Sequence, residues 1–533
     1  MKNYIIIIIL SIFLVFLIGY DTSSKSSNLI HLNNPSSNKQ LLIAIYSGTD
    51  IVLDNFNLDG IYSLMHAYPK KDFQSLHSDL HKGFNNVLSI NINEYLQMEY
   101  TPNNPIIIIK DVKEADLHEI LYFKPPNTAL IITSLSKRIN PLFIESNLSG
   151  LMHSSTTKKE GFIKYSDFIA LINPRDDISI DYYLKESINP IYYLGQLYDI
   201  NISLLYGRFI LLAFMFILFL SFFISKKHPI LISYILFLIP AFSFVFGISY
   251  FSNLNGIIKS ILVIILSFVI GLLLYSFKIS YKNIFICIWG FNILLLTYFT
   301  FSQKFLYQSP IGFNNIFYGT RFYGWNNDLI GILLGSLLSI SYTINSNKIK
   351  YSFSLLIVSL FICILFFSPL YGANVGGMLC LFCSAILCTL ILGEDFLIKY
   401  IAIGGYTLAF ILLQKVFITW DLTQTSSTHW GVWIQSIKNM EFDFAIGILY
   451  IKIRQIILFL ITPPLNILLF LQWILLLKPK NISLYDKRWR DIFLIMSLII
   501  IFLNDSGVLS TIVMLIYFLI PFYIKNKVPL FFS

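Results

Sequence analysis

Charged side chains are scarce in this chain, at 13% of 533 residues against 56% hydrophobic, with a mean hydropathy of +0.70. A soluble globule has no use for so much apolar surface, so that class is excluded. Cysteine is sparse too. The five present, Cys287, Cys363, Cys380, Cys383 and Cys388, all fall inside apolar runs and none in the polar N-terminal region. That argues against a disulfide framework, and the Cys380-x-x-Cys383 pair, with no His or second pair beside it, reads as helix packing rather than metal ligation. The formal charge is +9, but Lys and Arg gather in short loops between apolar runs. This is the positive-inside pattern of a membrane protein, not a nucleic-acid footprint.

Residues 4–20, following Lys2, form an apolar run with no small-x-small cleavage site after it, which predicts an uncleaved anchor. Residues 23 to about 201 are polar and hold most of the acidic side chains. Apolar runs of spanning length follow at 206–225, 229–251, 256–277, 284–301, 329–343, 351–367, 378–392, 400–417, 456–477, 492–503 and 508–524. With the anchor they predict about twelve transmembrane helices. Alternate threading gathers Lys226, Lys227, Lys278, Lys282, Lys348, Lys350, Lys399, Lys478, Arg488, Arg490 and Lys525 on one side, the cytoplasm. The expectation is a polytopic α-helical protein of the plasma (inner) membrane. Its parts are an anchor or signal at 1–22, an extracytoplasmic α/β domain at 23–204 and a membrane domain at 205–533. Residues 438–455 mix charge with apolar side chains and read as an amphipathic helix on the outer interface.

Within the polar region, short β-branched segments at 41–46, 106–110 and 129–133 alternate with helix-like stretches, the pattern of an α/β domain with a parallel sheet. At about 180 residues it is a single domain. Four polar motifs interrupt the membrane half: RFYGWNND at 321–328, GANVGG at 372–377, Asp421 through His429-Trp-Gly431, and NDSG at 504–507. The threading places all four on the outer face, where polar and charged groups next to hydrocarbon are functional candidates by default. Arg321 is a permanently charged fork suited to phosphate or carboxylate. Asn326, Asn327 and Asp328 precede a span directly and either cap it or bind substrate. Gly372, Gly376 and Gly377 permit close backbone approach around Asn374 at a helix start, fit for an anion or for a tight turn and helix packing. Asp421 and His429 share one loop and are the candidate bases. Asn504 and Asp505 sit at a helix boundary, with capping the rival role.

The stretch NTALIITS at 127–134, with PLFI at 141–144, GLMHSSTTKKEG at 150–161 and YSDF at 165–168, resembles the closing part of an alkaline-phosphatase-superfamily fold. LLIAIYSG at 41–48 looks like its first strand. The resemblance implies metal-binding Asp and His residues, yet Tyr46, Ser47 and 133–136 (TSLS) stand where these are expected. The implied domain is therefore degenerate: it binds or positions something and has no metal. SPIGF at 309–313 and the four membrane motifs, in this order, resemble a family of uncharacterised bacterial envelope proteins. In these a degenerate alkaline-phosphatase-like exported domain is fused to a polytopic half. This chain departs at Trp325-Asn326, where the family favours Ile-Gly, and at Asp328 in place of Glu.

Two functions follow as expectations. One is transfer or ligation of a lipid-linked, phosphate-bearing envelope precursor, with Asp421 or His429 as base and Arg321, Asn327, Asp328, Asn374, Asn504 and Asp505 binding substrate. The other is transport or flipping of an envelope lipid or glycan, although the sequence shows no repeat of the kind transporters carry. A non-catalytic assembly scaffold is a further alternative. Membrane lipids are the expected partners, and the sequence names no cofactor.

Overall fold

The computed structural model describes residues 30–31, 40–46, 60–67, 73–81, 87–97, 106–125, 128–135, 139–146, 150–154, 157, 161–172, 182–185, 189–225, 227–247, 254–277, 279–301, 308–312, 316, 324–344, 359, 361–362, 374–393, 396–422, 434–435, 437–440, 442–479, 481–504 and 507–526.

Strands β2 (Gln40–Tyr46), β5 (Ile106–Val112) and β6 (Thr128–Ser134) are runs of Ile, Leu and Ala that bury both faces. Alternate residues feed two cores: Ile43, Ile108 and Ile131 on one side, Ala44, Ile109 and Ile132 on the other. Such continuous apolar strands suit the middle of a sheet covered on both faces. Parallel pairing joins β4 (Val87–Asn91) to β5, β5 to β2 and β2 to β6.

The expected parallel pairing is unbroken in this part, and the rest of the sheet is mixed. Beyond β6 the order continues through β7 (Ile139–Glu145), β3 (Gly60–His66), β8 (Gly150–Ser154), β10 (Tyr182–Lys185) and β1 (Ile30–His31). The β6–β7, β7–β3, β8–β10 and β10–β1 pairs are antiparallel. β3 pairs in parallel with both β8 and β9 (Phe162–Lys164). A short β6–β7 connection cannot make the crossover that parallel neighbours require, so the sheet turns mixed there. Four helices attach to it: α1 (Phe73–His81), α2 (Ile92–Gln97), α3 (Glu114–Phe123) and α4 (Tyr165–Ile172).

The domain passes into the membrane half without a linker. Helix α5 (Pro190–Ile224) runs 35 residues through the boundary expected at 204/205. Asn189 caps it, accepting from the Tyr192 N–H at 3.0 Å, and Pro190 occupies its first turn. These are strong start signals. Leu194 near its start packs into the sheet's core, whereas Leu211, Met215 and Phe219 belong to the membrane core.

The described helices of the membrane half after α5 are α6 (Pro229–Val245), α7 (Gly256–Ser276), α8 (Tyr281–Phe301), α9 (Asn327–Ile344), α10 (Val375–Leu392), α11 (Phe396–Leu422), α12 (Phe442–Ile461), α13 (Leu465–Leu477), α14 (Leu484–Leu503) and α15 (Gly507–Asn526). Among the described residues seven helices, α5, α7, α8, α9, α10, α11 and α15, are long and apolar enough to cross a membrane. Counting α12 and α13 as one bent span gives eight. The protein is thus a polytopic helical membrane protein with an N-terminal α/β domain. The expected anchor at 4–20 and most of the expected span at 351–367 lie outside the described residues. The expected span 456–477 is not one straight helix: the chain bends by 76° between α12 and α13, where Pro463 and Pro464 fall. A proline pair removes consecutive backbone donors and cannot continue a helix. α9 and α15 are the most enclosed spans, 72% and 89% buried, and form the bundle's axis.

Candidate functional site: a buried polar layer at one end of the bundle

α9, α10 and α15 begin, and α14 ends, at the same end of the bundle, and the side chains that start and stop them meet there. Asn374, the N-cap of α10, accepts from Gly377 N at 2.9 Å. Its amide nitrogen donates to Asn327 Oδ1 and to the Trp325 carbonyl, both at 3.0 Å. Ser510, in the first turn of α15, donates to the Asn327 carbonyl at 2.6 Å and accepts from Asn504 Nδ2 at 3.1 Å. Asn504 ends α14, and its carbonyl accepts from Gly507 N at 3.0 Å, closing the turn into α15. Three of the four motifs therefore meet in one layer.

Glycines in and beside these motifs are there for contact. A Cβ on Gly376 would lie 2.7 Å from the Leu503 carbonyl oxygen, and one on Gly331 would lie 2.5 Å from that of Ser510. The layer is packed: Asn374 is 1% exposed, Asn504 3% and Asn327 8%. At Asn374 the tight turn and helix packing weighed from sequence are what the structure shows, with the side chain capping the helix. Its amide is fully engaged within the protein, with both ends bonded to neighbouring motif residues.

Asp328 does different work. Its Oδ2 meets Arg208 Nη2 of α5 at 3.2 Å and accepts from Gly312 N at 3.1 Å, and Oδ1 accepts from Leu329 N at 3.1 Å. Arg208 therefore ties α5 to the start of α9 through a carboxylate that is almost wholly buried. Gly312 closes the turn at 308–312 with a φ of 83°, the left-handed region that glycine enters without strain. Ser309 anchors the same turn, donating to the carbonyls of Ser243 at 3.0 Å and Ile311 at 2.7 Å. Four positions further on, Ile316 is buried in the core of the α/β domain. The connection between α8 and α9 thus joins the polar layer directly to the domain.

Asp421 is buried in the last turn of α11, which runs antiparallel beside α10 and so finishes at the end where α10 begins. Arg321, His429 and Asp505 lie outside the described residues.

Sequence reasoning missed Arg208, Lys259 and Ser510. The first two are cations inside spanning helices, a signal that should have flagged them, since intramembrane charge is rare and seldom idle. It also missed a cluster at the opposite end of the bundle. There Asp486 accepts from Tyr342 Oη at 2.8 Å, Ser483 Oγ at 2.6 Å and Lys525 Nζ at 2.6 Å. Lys525 lies over the rings of Tyr342 and Tyr485, 4.9 and 4.6 Å from their centroids. Burial alone would raise the Asp486 carboxyl. The hydrogen bonds from Lys525, Ser483 and Tyr342, with the Lys525 charge, outweigh it and hold the group below the usual carboxylate range. This cluster fastens α9, α14 and α15 together.

In the α/β domain, Asp167 takes a structural part. It accepts from Ser154 Oγ at 2.6 Å and, as the third residue of α4, from Lys164 N at 3.0 Å, half of a capping box. Burial lowers the Lys164 amine while the Asp167 charge opposes that shift. Thr133, at a position where the resembled family carries metal ligands, donates to the Pro141 carbonyl at 3.0 Å. Among the described residues no group of three or more His, Cys, Asp or Glu gathers to hold a metal ion. Comparison with family models, with curated proteins and with solved structures finds no match.

Proposed function

We propose that this is a bacterial cell-envelope protein that acts at the outer face of the membrane on a lipid-linked, phosphate-bearing precursor, transferring or ligating it. One observation carries the reading. The α8–α9 connection is fixed in the bundle's polar layer through Gly312 and Asp328 and enters the α/β domain's core at Ile316. Arg321 falls in sequence between that anchor and Trp325, which is itself buried in the layer. Its guanidinium fork suits the substrate phosphate. Asp421 or His429 serves as base, and Asp505 orients the substrate, while Asn327, Asn374 and Asn504 hold the backbone that lines the site. The α/β domain, an alkaline-phosphatase-like fold without its metal ligands in this reading, lies outside the cytoplasm and positions the substrate. The arginine and lysine placement of the loops supports that orientation.

The test is the lipid that accompanies the full-length protein on purification, identified by mass spectrometry. A phosphate-bearing, glycan-linked species should accompany the wild type and be lost from Arg321→Lys, which keeps charge but not the fork. An unchanged lipid profile in Arg321→Lys and Arg321→Ala would remove the reading.

A transporter is the second reading, and it has its own observation. Midway along the bundle, Asn292 Oδ1 and Trp289 Nε1 are buried without a hydrogen-bond partner near Tyr517, which the Ser336 hydroxyl approaches, and the Ser339 hydroxyl is buried without a partner as well. Ser341 and Thr343, on the same helix as the two serines, bond back to their own helix at 2.9 and 2.6 Å. Transporters place substrate or ion sites at this depth. Movement of a labelled lipid across proteoliposome leaflets that Tyr517→Phe abolishes and Arg321→Lys spares would favour it.

A further inference from the structure

Lys259 stands in the first turn of α7 and is 0% exposed. Its position is fixed by the tightest helix crossing at this end of the bundle. Gly256 N donates to Ser203 Oγ of α5 at 2.9 Å, and Ser260 Oγ returns to the Gly256 carbonyl at 2.9 Å. A Cβ on Gly256 would collide with the backbone of Ser203 and Leu204, and one on Gly207 with that of Gly256. The two helices touch backbone to backbone, so α7 cannot roll to carry the amine to water.

An ammonium has three protons to donate. Lys259 Nζ gives one to the Gln308 carbonyl at 3.2 Å, and among the described residues it forms no ion pair. The neighbouring sequence offers no counter-charge either, because between Asp199 and Asp328 the chain contains neither Asp nor Glu. Asp199 is exposed, and Asp328 is taken by Arg208 and Gly312. A second buried group beside the amine is also unanswered: Gln308 Oε1 has no hydrogen-bond partner. Burying a charge without a counter-ion is costly, and an orphaned amide oxygen adds to that cost. The amine has N–H donors to spare, yet Gln308 Oε1 accepts from none of them, so the amine is left for an anion and the amide oxygen for a separate donor, the two demands of one ligand.

We infer that Lys259 and Gln308 form an anion-binding site for a phosphate that carries a neighbouring hydroxyl, such as a polyol or sugar phosphate headgroup. The amine takes the phosphate oxygen as a compact point charge, and Gln308 Oε1 accepts from the hydroxyl. The same turn is held at its far end by Asp328, so occupancy at Lys259 bears on the polar layer through residues 308–312. The inference rests on the reading above for the kind of lipid that supplies the headgroup. The site itself uses neither Arg321 nor the candidate bases, so it fails or stands separately.

The experiment is thermal stabilisation of the full-length protein in detergent by four probes: inorganic phosphate, glycerol 1-phosphate, dioctanoyl phosphatidylglycerol and dioctanoyl phosphatidylcholine. Wild type should be stabilised by glycerol phosphate or by phosphatidylglycerol and much less by phosphatidylcholine, whose headgroup has no hydroxyl. Response to phosphatidylglycerol alone identifies a bilayer headgroup as the source. Response to glycerol phosphate as well identifies a soluble ligand. Lys259→Met should weaken the apparent Kd at least tenfold. Should that variant fail to fold, Gln308→Glu supplies the counter-charge internally, and it should raise the stability of the protein alone while abolishing the response to every probe. Equal responses in wild type, Lys259→Met and Gln308→Glu, or no response in wild type, would overturn the site. Loss of co-purifying lipid in Arg321→Lys with an intact Lys259 response would leave this inference standing beside the reading above.

Discussion

The Arg208–Asp328 pair allows a quantitative test of how the polar layer is built. Asp328 is 1% exposed on its side chain and Arg208 14%. Breaking a buried pair from one side leaves an uncompensated charge at a cost of about 3–5 kcal/mol. Arg208→Met strands the carboxylate, which retains the N–H groups of Gly312 and Leu329, and should cost ~4 kcal/mol, or roughly a thousandfold in the folding equilibrium. Asp328→Asn strands the guanidinium, which retains a route to solvent, and should cost less, ~2–3 kcal/mol. In the double variant neither charge remains, so its loss should fall short of the sum by ~2 kcal/mol or more. The assay is reversible unfolding in mixed micelles titrated with a denaturing detergent, followed by tryptophan fluorescence. Trp325 is buried next to the layer and reports on it. Losses that add within ~0.5 kcal/mol, or single variants near wild type, would refute the claim that this pair ties α5 to α9.

Three further outcomes are expected. Gly376→Val should lower the melting temperature sharply, because its Cβ meets the Leu503 carbonyl at 2.7 Å, whereas Gly405→Val, with nothing within 4 Å, should not; equal melting temperatures would contradict the contact between α10 and α14. Because Asp486 is held below its unfolded value, its contribution should be complete above the ordinary aspartate pKa of ~3.9 and disappear as pH falls through the lower folded value. The stability gap between wild type and Asp486→Asn should therefore be flat from about pH 5 to 8 and close below about pH 4, and a gap that closes near neutral pH would contradict it. Cysteines at Asn253 and Thr425 should react with an impermeant thiol reagent added to intact cells and one at Asn347 should not, while one at Ser309 is shielded by burial; labelling at Asn347 would reverse the threading.

Hydropathy, the lysine and arginine loops and the short β-branched runs determined by themselves that this chain is a polytopic helical membrane protein with an α/β domain ahead of the bundle. These are periodic or compositional signals, summed over many residues, and no single contact can overturn them. One helix start was legible from local signals. Asn374 with its glycines announces α10, because a helix start depends on a few neighbouring residues. The direction of the strands after β6 was not legible. Nor was it legible that α5 would run unbroken from domain to bundle, since an apolar stretch does not say where its helix began.

Only the tertiary structure decided what the polar motifs do. Asn327, Asn374 and Asn504 come from positions far apart in sequence, and it took the packing of four helix ends to make them donate and accept among themselves rather than toward a ligand. Asp328 looked like a helix cap from its place before an apolar run, and it became an ion-pair partner because α5 passes beside it. Lys259 was one lysine in an apolar run until the Gly207–Gly256 crossing fixed it inside the bundle. A side chain's chemistry is written in the sequence, but whether it faces water, lipid, a partner or a ligand depends on which helices lie against it, and that is settled by long-range packing.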